Sequence, residues 1–365
     1  MEQLLRRMEQ SESEEAWELV RDELAKEGRA WEIHLGLFPL VQRVTNPPFI
    51  NPHLPKMHGI MREFMPCLAE EDLPALLRLE INEYTRRPKS ALLAKPSRHP
   101  LSVSFSEIET AIRKEQRERC AALMQAFLEQ QGKPELARRL LLLGSDYLEH
   151  SLGHSVSCTA FILLEMIERS DQDPWPVLGT LAEYFCSGHF HTTAELRTTA
   201  EITPPAELDR QLLRATSGDG VVNLHHTITR YAIERVRHLL SEAEFAHLIA
   251  CWIDFLGPKD ALPPDDTSTA APDDYESFYR CFSKQEEQPL LPALAGLIPS
   301  PEGRLRLGRY LIKGICDQYQ GSYDPHFLTG LGSALWVVDS CREQPAIAMN
   351  ALRQYLNFFF TRMES

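Results

Sequence analysis

Two histidines set four residues apart, His150 and His154, lie in the apolar stretch YLEHSLGHSVSCTAFILLEMIE from Tyr147 to Glu168. On a helix that spacing puts both imidazoles on one face, within reach of one metal ion or one buried polar partner. Tyr147, Cys158 and Phe161 continue the face. Ser151, Gly153, Ser155 and Ser157 keep the neighbouring turns small enough for another backbone or a ligand to approach. The same pair also suits a hydrogen-bonded core feature. Histidines recur at the start or inside of other apolar helical stretches: His53, the neighbours His225 and His226, and His326 in YDPHFLTG. Neutral imidazole serves iron, copper, zinc and nickel, and helical cores build metal sites from single ligands far apart in sequence. His34, His99, His189, His191, His238 and His247 are expected at the surface or its boundary.

Several other chemistries lack their signatures. The chain has no G-x-x-x-x-G-K-[ST], no G-x-S-x-G and no H-E-x-x-H. None of its 13 histidines is followed two positions later by Asp or Glu, which removes the common H-x-D/E start of a two-histidine, one-carboxylate iron triad. Gly330-Leu331-Gly332 lacks the preceding strand and third glycine of a dinucleotide loop. For metal-dependent hydrolysis the nearest candidate bases are Glu149 and Glu201, neither at a diagnostic spacing.

The elements that must position these histidines follow a helical period almost throughout, and strand-like alternation is hard to find. The reading is all-α: a single large multi-helix domain, 1–365, with a buried histidine-lined centre. Helices are expected from Met1 to Lys26, Ala30 to Phe38, Met57 to Leu68, Pro74 to Arg86, Phe105 to Gln131 (long, polar and on the surface) and Tyr147 to Glu168. Further ones are expected at Pro176 to Cys186, from Ile228 on, and over four apolar segments between Leu290 and Phe360. Prolines in TNPPFINPHLPKMHG forbid regular helix there and leave His53 at an irregular approach to the next one. ITPPAELDRQLLRATSGDGV reads as a loop rich in turn formers. The acidic, proline-rich stretch 257–274 reads as a surface loop or linker.

Composition narrows the partners. Hydrophobic residues make up 43% of 365, enough for a large core, and the net charge of −14 repels nucleic acid and anionic membrane surfaces unless a basic patch intervenes; none is evident. The eight cysteines are widely spaced with no C-x-x-C. They suit a reducing compartment and packing as small hydrophobes. No apolar run approaches a membrane span and the N-terminus is amphipathic, so a cytoplasmic location is expected.

Four of these stretches resemble, in order, the motifs of the questin oxidase-like family. Pro52-His53-Leu54-Pro55 is similar to an N-H-x-P-M segment, with Pro52 in place of the asparagine and Lys56 in place of the methionine. His154-Ser155-Val156-Ser157-Cys158-Thr159-Ala160-Phe161 resembles H-G-V-I-R-T-x-H, keeping the first histidine and carrying Phe161 at the second. Asn223-Leu224-His225-His226-Thr227-Ile228-Thr229 is similar to P-L-V-H-A-V-T, which selects His226 over His225. Asp324-Pro325-His326-Phe327-Leu328-Thr329 resembles D-E-H-A-I-K, with Thr329 at the lysine.

The resemblance implies a helical fold around a mononuclear non-haem iron (Fe) held mainly by histidines, with a modified lysine as a ligand in some members. It also implies oxidation by molecular oxygen, with NADPH as a possible reductant. On it the metal ligands are His53, His154, His226 and His326, with His150 expected to replace the imidazole missing at Phe161. Neutral histidines would leave an iron(II) centre cationic, and an apolar pocket would favour an aromatic substrate. Thr159 and Thr229 are expected to support the ligands. The changes at Phe161 and Thr329 keep open a second reading, a non-catalytic helical binding or scaffold protein.

Overall fold

In a computed structural model the described residues realise the helical period as 18 α-helices, and no strand forms among them. Two isolated bridges, Val44 with Lys89 and Asn46 with Phe49, are the extended pairings there. The structure describes residues 1–24, 26, 29–96, 102–169, 171–187, 190, 202–261, 272, 274–321 and 323–363. His99, His189, His191, Glu201 and most of the 257–274 stretch lie outside them.

The helices run α1 Glu2–Glu9, α2 Ser13–Arg21, α3 Arg29–Val41, α4 His53–Phe64, α5 Leu73–Arg86 and α6 Phe105–Arg113. Next come α7 Arg117–Gln131, α8 Lys133–Ser145, α9 His154–Glu168, α10 Trp175–Phe185, α11 Pro205–Ala215 and α12 Gly220–Arg235. The last six are α13 Glu242–Leu256, α14 Tyr275–Ser283, α15 Glu287–Ala295, α16 Pro301–Asp317, α17 His326–Ser340 and α18 Pro345–Met363. No helix among the described residues is long and apolar enough to cross a membrane.

Four helices form the centre. α4 packs on α9, α9 on α12, α12 on α17, and α17 back on α4, closing a ring. Buried apolar side chains from all of them belong to one continuous core, in which Ile60, Leu163, Ile228 and Leu331 are fully enclosed. Each such side chain contributes about 1.5–3 kcal/mol relative to exposure. Gly330 and Gly332 find their role here. A Cβ on Gly332 would stand 2.5 Å from Ile60 of α4, and one on Gly330 would stand 2.8 Å from Leu224 of α12. The G-L-G element is the small face that lets α17 close the ring.

Several boundaries differ from the sequence expectation, each for a local reason. The first helix is two, α1 and α2, broken where Ser11 takes a positive φ of 62°. The 105–131 helix breaks at Glu115 (φ 54°), and its second half is no surface helix, because Cys120, Ala121, Leu123 and Met124 are buried. The loop expected around 202–221 contains α11, started by Pro204-Pro205 and burying Gln211, Leu212 and Ala215. The helix expected from Tyr147 begins only at His154, because residues 146–153 are turns and Leu152 and Gly153 have φ of 50° and 75°.

Candidate metal centre

Each helix of the ring brings one histidine to the same wall: ligand atoms of His53, His154 and His326 lie within 4.8 Å of one another, and His225 joins through His154 and His326. His53, His154 and His326 are the first residues of α4, α9 and α17, and His225 lies one and a half turns into α12. His154 Nε2 stands 2.8 Å from His53 Nε2 and 3.0 Å from His225 Nε2, and His225 Nε2 stands 3.0 Å from His326 Nε2. All four rings are buried. Bonds of ~2.1 Å at right angles around one ion would space neighbouring nitrogens by roughly 3.0 Å.

The opposite ring edges fix the tautomers. His154 Nδ1 donates to the Ser151 carbonyl at 2.6 Å and His225 Nδ1 to the Val221 carbonyl at 2.6 Å. A carbonyl only accepts, so both Nδ1 atoms carry the proton. His326 Nδ1 donates to Asp324 Oδ1 at 2.7 Å, and the same oxygen accepts from the His326 backbone N–H. Although burial pushes the Asp324 carboxyl up, its bonds to His326 hold it at about 2. Burial, and then mutual repulsion against protonating neighbouring rings and the nearby Lys56, press His53, His154 and His225 well below the usual imidazole range, and burial outweighs Asp324 in lowering His326. Neutral rings protonated at Nδ1 present lone pairs at Nε2. Three such lone pairs therefore point at one another with no hydrogen to share, an arrangement that a cation between them resolves.

Local sequence explains the placement. Ser151 Oγ caps α9 by accepting from the Ser155 N–H at 3.0 Å, while its carbonyl anchors His154. Gly153 holds the left-handed conformation that turns the chain into α9, and a Cβ there would lie 1.9 Å from Thr229 Oγ1 of α12. Only glycine fits both demands. Asp324-Pro325 starts α17 so that one carboxylate serves both the backbone and the ring of His326.

Lys56 shares the α4 face of His53 at i+3, is fully enclosed, and its Nζ has no hydrogen-bond partner. Burial lowers its pKa, and its charge in turn depresses all four imidazoles. The cluster opens on a cavity of about 500 Å³ whose other walls include Phe49, Leu152 and Tyr323, with Arg87, His150 and Arg362 as polar lining.

The structure brings together part of the expected residue set. His53, His154 and His326 come together as expected. His226 does not join them: its ring meets Phe255 edge-on at 4.7 Å, and its neighbour His225 takes the place, one residue of helix having turned the side chain by about 100°. His150 is exposed at the cavity wall, because the turns at 146–153 break the i,i+4 register with His154. Phe161 packs on Tyr231 at 5.2 Å, and Thr329, Thr159 and Thr229 are buried with hydroxyls that lack hydrogen-bond partners. His34 and His247 are buried, against the surface placement expected: His34 on Glu80, His247 on Ser145 Oγ at 2.8 Å. His58 had no place in the sequence reading and Lys56 entered it only as a departure from the N-H-x-P-M segment, although a lysine inside HLPKMHGIM is a signal that something holds it there.

Fold and site together define an all-α protein with four neutral imidazoles gathered at the wall of a cavity. Comparisons with known family models, with curated proteins and with solved structures yield no match.

Proposed function

We propose that this protein is a metal-dependent oxidase or oxygenase of small aromatic molecules, its ion held by His53, His154, His225 and His326. The observation that carries the reading is the convergence of three Nδ1-anchored imidazoles, whose inward lone pairs suit a cation and otherwise repel. Four neutral nitrogen donors leave a bound ion its full positive charge, and the resemblance to questin oxidase-like proteins favours iron with molecular oxygen, and NADPH as reductant. A bound iron ion supplies a cationic centre able to exchange electrons with oxygen.

The chain's own residues do the rest. Ser151, Val221 and Asp324 orient the rings, and the enclosed helices keep bulk water from one side. Phe49, Leu152 and Tyr323 offer the other side flat apolar walls for an aromatic ring, while Arg87 and Arg362 provide charge for an acidic substituent. His225 fills the place expected of His226, so the set closes at four nitrogens and the imidazole missing at Phe161 has no replacement. Lys56, buried three residues after His53, sets an amine within electrostatic reach of all four imidazoles, where the family pattern has its lysine at Thr329.

The test is elemental analysis and oxygen uptake on the full chain loaded anaerobically with iron(II), against a panel of phenols and quinones. Iron bound by the wild type and lost in His154→Ala, with substrate-dependent oxygen uptake, is expected. A folded wild type that binds no transition metal sinks the reading.

A further inference from the structure

A second group of ligand-type side chains lies inside the helices, apart from the open centre. His34 of α3, His58 of α4 and Glu80 of α5 are buried to 1% exposure or less. His34 Nδ1 is 2.9 Å from Glu80 Oε2, and His58 Nδ1 is 2.7 Å from Glu80 Oε1. The rings stack with centroids 4.1 Å apart and 21° between planes. One ligand atom from each residue falls within 4.8 Å of the others. The donor set is two imidazoles and a carboxylate, assembled from three helices without any H-x-D/E motif.

Charge balance asks for a cation here. A carboxylate withdrawn from water is costly unless opposed by positive charge, and the two imidazoles are Glu80's ion-pair partners among the described residues. A second buried carboxylate lies nearby, outside the trio whose ligand atoms fall within 4.8 Å of one another. Glu165 of α9 packs beside Gly59, its Cγ 3.5 Å from where a Cβ would sit, and its Oε1 accepts from Arg62 at 3.1 Å. Its Oε2 is buried with no hydrogen-bond partner, as are the Nε2 atoms of His34 and His58. Two imidazoles and one carboxylate inside a shell of helices, with a second buried carboxylate near, suit a divalent ion held away from solvent, as in structural rather than catalytic sites.

We propose that His34, His58 and Glu80 form a second metal site, closed to solvent, that takes a divalent transition-metal ion of the zinc type. The reading is independent of the function proposed for the open centre.

The experiment uses the full chain carrying His154→Ala and His225→Ala, which removes the open centre and leaves the second group untouched. After growth with added zinc and iron, the folded double variant is expected to retain about one equivalent of metal per chain, and Glu80→Gln in that background to lose it. Cobalt(II) substitution gives a second readout, the intense visible absorption of a tetrahedral ion, on protein with Glu80 unaltered. Retention below about a tenth of an equivalent with no such absorption overturns the proposal and leaves the trio a proton-sharing network. Metal lost entirely on His154→Ala would overturn this site and support the open one. Equal metal in wild type and double variant would do the reverse.

Discussion

At the open centre, backbone carbonyls of Ser151 and Val221 and the Asp324 carboxylate grip imidazoles by their Nδ1 edges and turn the Nε2 edges inward. At the second group the Nδ1 edges of His34 and His58 themselves face inward, onto Glu80. The anchors make the difference. Acceptors outside the ring leave lone pairs pooled inside, with no internal charge to balance a cation, while an acceptor inside supplies that charge. The first arrangement borders a cavity with room for reactants; the second is walled by α3, α4, α5 and α9. A neutral, open set fits chemistry on a substrate, and a charge-balanced, closed set fits holding helices together.

The sharpest way to break the comparison is at His225. His225→Ala is expected to remove metal and oxygen uptake from the open centre, whereas His226→Ala leaves the metal content unchanged, as elemental analysis of both variants will read. Equal losses would mean the pooled lone pairs do not define the centre. Next in size is the anchor: Asp324→Asn should weaken metal binding about 10–100-fold in a competition titration, because the amide no longer holds the His326 ring as a charged acceptor. An unchanged affinity would remove the external anchors from the argument.

A chelator should empty the open centre at least ~10-fold faster than the closed group, whose release waits on local opening of α3 to α5. One common rate would erase the contrast between them. The smallest effect is at Gly153. Gly153→Ala places a Cβ against Thr229 at a positive φ and should cost about 1–3 kcal/mol in denaturant unfolding. No loss would show that α9 starts elsewhere.

Much of this was legible in the residues, and the failures have physical causes. His53, His154 and His326 each follow a helix-starting turn, so their types and positions carried the signal. His225 and His226 could not be separated, because every residue from Leu224 to Ile233 is buried and α12 has no polar face to set its rotation. The pairing of His150 with His154 failed because serine and glycine between them favour turns over a continuous helix. His34, His58 and Glu80 come from three helices, and no spacing in one dimension records their meeting. A glutamate set between Leu79 and Ile81 in LLRLEINEY is the trace they leave, since a charge that the helix turns into the core needs a partner.

The four imidazoles of the open centre also have a topological consequence. Successive members are 101, 71 and 101 residues apart along the chain. An ion joining them would pin three long segments at one knot, removing from the unfolded chain the freedom of three large loops, as a cross-link does. Folding and ion uptake would then be linked by mass action, and scarcity of the ion would be felt first as susceptibility to proteases and only afterwards as lost turnover.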